Sequence, residues 1–451
     1  MIPRKRLVPT SNLKWLIPGM GVKRWLLLLA SGIALLGLGL VYILIMLYEF
    51  QLLPRGLYTL LTLQFLPPWA RVAAAGLLGL AAILFALRQL GRSTLAPFLQ
   101  TGGVSLADAV YRQRRRGRGL HVVAIGGGTG LSSLLRGLKK RTDNITAIIT
   151  VADDGGSSGR LRRELGLPPP GDFRNCIAAL ANDESLVTQL FQYRFGQAAG
   201  GTSASNGELS GHSFGNLFIA AMTGITGSFE GGLERSSQVL AIQGDILPST
   251  LADVTLVADV RVQQKSAAAG HEVLRVTGES SIPKTGRTIE RVYLTPGNAP
   301  AYPAAVRAIL TGDLVVLGPG SLFTSVLPNL LVGGIRQALE TTRAQVVYVC
   351  NVATQPGETD DLDVGDHLRA LERHVGRSVV DAVLANNAFP SLDEGSMTQY
   401  VALGARTETP VITLDLVDRE RPWRHDSDKL ASAILSLKKD GRTEPTHYSA
   451  L

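Results

Sequence analysis

Six short stretches hold residues able to do chemistry. The first is Gly126-Gly127-Gly128-Thr129-Gly130, joining the apolar run 121–125 to the amphipathic run 131–140. Glycines between a strand and a helix let backbone N–H groups reach a ligand, and the helix start favours an anion. Thr129 can add a contact or cap the helix. Twenty-three residues after Gly130 comes Asp153-Asp154, continued by Gly155-Gly156-Ser157-Ser158-Gly159-Arg160. One acid at that place would bind a ribose hydroxyl in a dinucleotide site. Yet the glycine spacing departs from G-x-G-x-x-G, and no Gly-Lys-Ser/Thr follows for a nucleoside-triphosphate loop. The serines and the arginines behind them suit another phosphate or a polar sugar ring. A solvated turn is the plainer alternative.

"PPPGDFRNC" (168–176) leads rigidly into a helix. Asp172 can be its N-cap, and Asn175 can read the hydrogen-bonding edge of a ligand. "GHSFGN" (211–216) is similar, with His212 before a helix and Asn216 in its first turn; His212 is as readily structural as functional. Gly318-Pro319-Gly320-Ser321 makes a second strand–turn–helix element. Two such turns would place two polar crevices at the carboxyl ends of strands. The segment 351–367 is one more polar strand exit. No spacing such as His-Glu-x-x-His supports a metal, and no nucleophile elbow appears.

The elements that must hold these residues alternate between β-branched runs and amphipathic stretches from Leu120 onward, which predicts an α/β domain with a mostly parallel sheet. Strands are expected over 121–125, 145–151, 313–318, 344–351, 381–386 and 410–417. Helices are expected over 131–140, 172–182, 185–195, 303–310 and 428–438, with one continuous helix over 325–342. Residues 254–294 read as a small antiparallel insertion on the main sheet. The loop 198–211 and the tail 439–451 read as flexible. Internal repeats are absent.

Charge is distributed unevenly. Residues 1–120 contain 15 Lys or Arg against Glu49 and Asp108, while the remainder holds 30 basic and 35 acidic residues. The net charge of +8 is therefore no nucleic-acid footprint. It flanks apolar sequence. Trp25–Tyr48 runs 24 residues without a charge, enough to cross a bilayer and longer than a signal-peptide core. A shorter stretch, 72–87, predicts a second span, with 56–66 interfacial or partly buried between them. Lys and Arg cluster before the first span and after the second, notably at 112–118. The expected topology is a multi-pass hairpin in the bacterial inner membrane with both ends cytoplasmic. The domains then run 1–24 (basic N-terminus), 25–90 (two-helix hairpin), 91–119 (linker), 120–438 (cytoplasmic domain) and 439–451 (tail). Cys176 and Cys350, without CxxC spacing, fit buried thiols in a reducing compartment.

Taken together, "GGGTGL", "DDGGSSGRLR", "PPGDFRNC", "GHSFGN", "GPGSLFTSVLPNLL" and "NVATQPGETD" resemble, in order, the YvcK family of CofD-like gluconeogenesis factors, over about His121 to Leu437. The resemblance implies a Rossmann-like CofD-type fold that binds a UDP-sugar, UDP-N-acetylglucosamine or UDP-glucose. It also implies a regulatory role in cell shape, envelope synthesis and gluconeogenic growth. Carried onto this chain, the resemblance assigns ligand contacts to Thr129, Asp153, Asp154, Ser157, Ser158, Asn175, Asn216 and the turn with Gly318, Gly320 and Ser321, and the residues themselves add Gly127, Gly128, Gly130, Arg160 and His212 as candidates. Arg424, in "RHD" (424–426), would reach the diphosphate. Where the family usually has tyrosine, this chain has Phe323. The spans depart from the family's short soluble form. Binding needs no cofactor. The CofD branch implies an alternative, phospholactyl transfer to a deazaflavin precursor with Mg²⁺. An NAD-dependent oxidoreductase is a third reading. A homo-oligomer and a protein partner in envelope synthesis stay open.

Overall fold

The structure, a computed structural model, describes residues 22–50, 54–71 with alternating positions on to 85, 119–196, 207–262, 272–376, 379–391, 399–405 and 407–437. The chain divides into two compact units, Met1–Arg115 and Arg116–Leu451.

In the first unit a single helix covers Val22–Glu49. Its part Ser31–Glu49 is long and apolar enough to cross a membrane, and none of it is buried by protein. Leu36 and Leu38 are largely exposed, as a helix that is apolar all round requires a nonaqueous partner. It is the one such helix among the described residues, where two were expected. The other expected span, 72–87, lies partly outside the described residues. Between them Arg55–Leu61 is a short helix whose Tyr58 stacks on Tyr48 at 4.1 Å.

The second unit is built on a seven-stranded parallel sheet. Its strands are β1 (Val122–Gly126), β2 (Ile145–Ile149), β3 (Asp245–Pro248), β7 (Leu314–Leu317), β8 (Gln345–Val349), β9 (Ala382–Asn386) and β10 (Val411–Leu414). Their order is β10-β9-β8-β7-β1-β2-β3. The chain winds outward from β1 in one direction, then returns to lay β7 against β1's other side, with Val122 opposite both Ile145 and Leu314. That makes β1/β7 the point where the winding direction reverses, the usual place for a ligand crevice in such sheets. β1, β2 and β9 are buried at every position, which explains why they read as continuous apolar runs without alternation.

Helices cover both faces through apolar stripes. Gly128–Lys139 buries Leu131, Leu134, Leu135 and Leu138, each contributing roughly 1.5–3 kcal/mol of burial. The last helix, Ser427–Leu437, packs on it where Gly137 meets the Ser427 carbonyl. β3 was not legible in sequence; four residues ending in Pro248 form a sheet edge, where proline is tolerated. The predicted continuous helix over 325–342 is broken. A wide turn at Leu322–Val326 leads to Leu327–Leu330, Val332 is extended, and a new helix starts at Gly333. Pro328 in a first turn and the Gly333-Gly334 pair account for the interruption.

The insertion folds as its own antiparallel sheet, β5 (Glu272–Thr277), β4 (Thr255–Val262) and β6 (Ile289–Thr295), with β4 central. It does not extend the main sheet. Cys176 and Cys350 are free and buried. The segments 112–118, 439–451 and most of 198–211 lie outside the described residues.

Candidate functional site

The two glycine turns do not make two crevices. They meet in one. A Cβ on Gly130 would stand 2.6 Å from the Pro319 carbonyl oxygen, and one on Gly320 3.2 Å from the Gly127 oxygen. Only glycine lets these backbones come so close. Asn351, following β8, clamps the second turn from behind: its side chain accepts from the Gly320 N–H at 3.2 Å and donates to the Gly320 carbonyl at 3.0 Å. Gln355 donates to Ser321 Oγ at 2.7 Å. Asn329 donates to the Gly126 carbonyl at 3.0 Å, tying the turns together. These amides were missed as site residues because their partners lie far off in sequence.

Two helices begin at this crevice, Gly128–Lys139 after β1 and Gly156–Leu165 after β2. Neither N-cap, Gly127 nor Gly155, has a side chain to satisfy the first-turn N–H groups. Thr129 is exposed at the first helix start, and its carbonyl accepts from Ser132 and Ser133.

Asp172 corrects an expectation. The cap of its own helix, Gly171–Leu180, is Pro170. The Asp172 carboxylate instead reaches Gly127 and accepts from the Gly128 N–H. Burial, then the charge of Asp153, pushes it up to about 6. Asp153 accepts from the Gly155 N–H at 2.8 Å and from Ser158, and burial raises its pKa as well. Asp154 faces elsewhere, accepting the Ser280 N–H of the insertion at 2.9 Å. Two further acids join this cluster, Glu358 from the polar strand exit 351–367 and Glu279 from the insertion. Glu279 is pushed up to about 8 by burial and by Asp153, Asp172, Glu358 and Asp154. Glu358 is pushed up to about 7 by burial, although the Thr324 hydroxyl donates to it at 2.9 Å.

A second group is closed and polar. Ser157 Oγ lies 3.1 Å from His212 Nδ1, and Asn216 Nδ2 donates to Ser157 at 3.2 Å and Ser158 at 3.4 Å. Burial and the nearby Arg160 lower the His212 pKa. Asn216 Oδ1 is buried without a partner. Arg174, absent from the sequence-derived site, donates to Ser213 at 2.8 Å and to Asn175 Oδ1 at 3.1 Å.

Arg160, beside His212, is spent on the Ser210 carbonyl at 3.0 Å. Arg424 is exposed, on a segment held to the β8 exit by the His425 bond to the Cys350 carbonyl. Phe323 is buried and packs edge-on against His374, so it presents no group to the crevice. For Mg²⁺ the oxygens are of the right kind. Among the described residues, however, no three His, Cys, Asp or Glu side chains are placed to hold an ion. A cavity of about 380 Å³ along the amino ends of β8 and β9, lined by Thr342, Arg343 and Asp381, lies away from all of these groups.

The profile of the family described as 2-phospho-L-lactate transferase CofD matches residues 122–435, the whole span from β1 to the last helix. The chain belongs to the CofD family. Within it the relatives are gluconeogenesis factors. That of Bacillus subtilis is 42% identical over 331 residues, covering 71% of this chain and 98% of its own length. A Nostoc sp. relative is 44% identical over 443 residues, covering 94% of this chain and 91% of its own. A crystal structure of an upf0052-family protein from Bacillus halodurans superposes with a TM-score of 0.62 at 44% identity, covering 70% of this chain and 99% of that one. CofD-family relatives of this kind thus come in two lengths. The longer one shares the N-terminal part of this chain.

Proposed function

We propose that this CofD-family protein is a nucleotide-sugar-binding regulator, taking UDP-N-acetylglucosamine or UDP-glucose in the crevice between β1, β2 and β7. One observation carries the reading: the glycine turns after β1 and β7 touch at the sheet's switch point, beside two helix starts whose N-caps are glycines, the first of them shared with the Asp172 carboxylate. Such starts hold diphosphate through N–H groups and the helix dipole. Ser157, Ser158, Asn175 and Asn216 supply polar contacts for the remainder of the ligand, and Arg424 is a further candidate for the diphosphate. The names of the relatives support a role in gluconeogenic growth, and we extend it to envelope synthesis and cell shape. The apolar helix Ser31–Glu49 anchors the chain at the bacterial inner membrane, with the CofD-like domain on the cytoplasmic side.

Calorimetry on the full chain in detergent, titrated with UDP-N-acetylglucosamine, UDP-glucose, GTP and NAD, tests this. Saturable heat is expected with a UDP-sugar only. Binding of NAD without binding of either UDP-sugar would falsify the reading, and phospholactyl transfer to a deazaflavin acceptor would replace it with an enzymatic one.

A further inference from the structure

The crevice has a wall supplied by the insertion. After β5, Gly278 leads into the turns Glu279–Ser281 and Pro283–Thr285. This strap is fastened at both ends. On the β2 side the Ser280 N–H donates to Asp154. On the β8 side Gly357 lies so close to the Pro283 carbonyl that a Cβ would overlap it. Ile282 is fully buried between the two fastenings. The strap thereby delivers Glu279, half-buried, among Asp153, Asp172 and Glu358. Glu358 has Oε1 fixed by the Thr324 hydroxyl, and the backbone N–H groups of Phe323 and Thr324 lie near its carboxyl, but its buried Oε2 has no hydrogen bond of good geometry. A buried polar atom of that kind costs free energy until a donor reaches it.

We propose that Glu279 and Glu358 read the hydroxyl groups of the ring carried by the diphosphate, and that Asp154 is a positioning residue holding the strap that bears Glu279. This rests on the nucleotide-sugar reading above. Its physical basis is a division of the ligand. Carboxyl groups repel phosphate, so the anionic part belongs at the glycine turns and the uncharged, hydroxyl-rich part belongs against the acids. Burial and the neighbouring acids keep Glu279 mostly protonated near neutrality, and burial keeps Glu358 partly so. A protonated carboxyl both donates and accepts, matching a hydroxyl, which does the same.

The test uses the full chain in detergent, titrated calorimetrically with UDP-N-acetylglucosamine, UDP-glucose and UDP. Glu279→Ala is expected to weaken the UDP-sugars about tenfold, the equivalent of one good hydrogen bond, while UDP affinity stays within about twofold. Glu279→Gln, which keeps a donor and an acceptor, should restore most of the loss. Asp154→Asn should weaken the UDP-sugars selectively but less. Equal losses for UDP and UDP-sugar, or no loss in either, overturn the proposal while leaving the binding reading intact. A wild-type chain that binds neither overturns both. Should Glu279→Ala melt early, Glu358→Ala is read with the same ligands and the same criteria, with Glu358→Gln as its rescue.

Discussion

On the β1–β7 side of the crevice the groups offered to a ligand are backbone N–H groups, whereas on the insertion side they are carboxyls with suppressed charge. The first wall is set by chain geometry and cannot titrate. The second is set by carboxyls whose pKa burial, and in part neighbouring charge, raises, so its state depends on pH. Asp172 joins the two, because its carboxylate already occupies the Gly128 N–H. An incoming phosphate must share that helix start with an acid that is easily protonated. On the proposed reading, phosphate binding at this helix start is accompanied by proton uptake.

The comparison is broken most severely from the rigid side. Gly130→Ala drives a Cβ into the Pro319 carbonyl. It should abolish measurable UDP-sugar heat and lower the unfolding free energy by about 1–3 kcal/mol, the usual range for overpacking. Chemical denaturation beside calorimetry reads both. Native-like affinity would show that contact between the turns is unnecessary.

Next in size is Asn351→Ala, which removes both bonds to Gly320. A loss of about 1–3 kcal/mol in stability and roughly tenfold in affinity is expected. A loss of stability alone would confine Asn351 to the scaffold.

The acidic wall is probed by pH. Asp172 is raised from 3.8 to about 6, Glu358 from 4.5 to about 7 and Glu279 from 4.5 to about 8. Over that window the folded state binds more protons than the unfolded one, so stability is greatest below about pH 4 for these groups and is lost as pH rises toward 8. Asp172→Asn should remove the lower part of that slope, between about 4 and 6, as read from denaturation at successive pH values. UDP-sugar affinity should also fall severalfold between pH 6 and 8, since the ligand's charge stays constant while the wall gains charge. A flat profile in both measurements would mean the acids do not face the ligand.

The smallest effect is expected at Arg424. Arg424→Ala should leave stability within about 0.5 kcal/mol, as for most exposed sites, and lower UDP-sugar affinity only a fewfold. An unchanged affinity would remove this arginine from the diphosphate site.

Much of the site was legible because its signals are local. Glycines between a β-branched run and an amphipathic run announce a strand–turn–helix wherever the chain goes. The buried strands, the insertion and the apolar N-terminal helix were readable for the same reason. Asp172 shows where this stops: its sequence neighbours suggested a cap on its own helix, but its partner is Gly128, 44 residues away. Glu279 appeared only as an interruption between two short strands. β3 was too short and too proline-marked to register.

The sequence by itself determined which segments become strands, helices and phosphate-type turns, since backbone preference and apolar period act over a few residues. Only the tertiary structure decided which turns touch, where Asp154 is spent, and that four acids from distant segments converge on one crevice. Those outcomes depend on strand order and on the docking of the insertion, and Ser280 and Asp154, bonded at 2.9 Å, are separated by 126 residues of chain. No local preference carries information across such a distance.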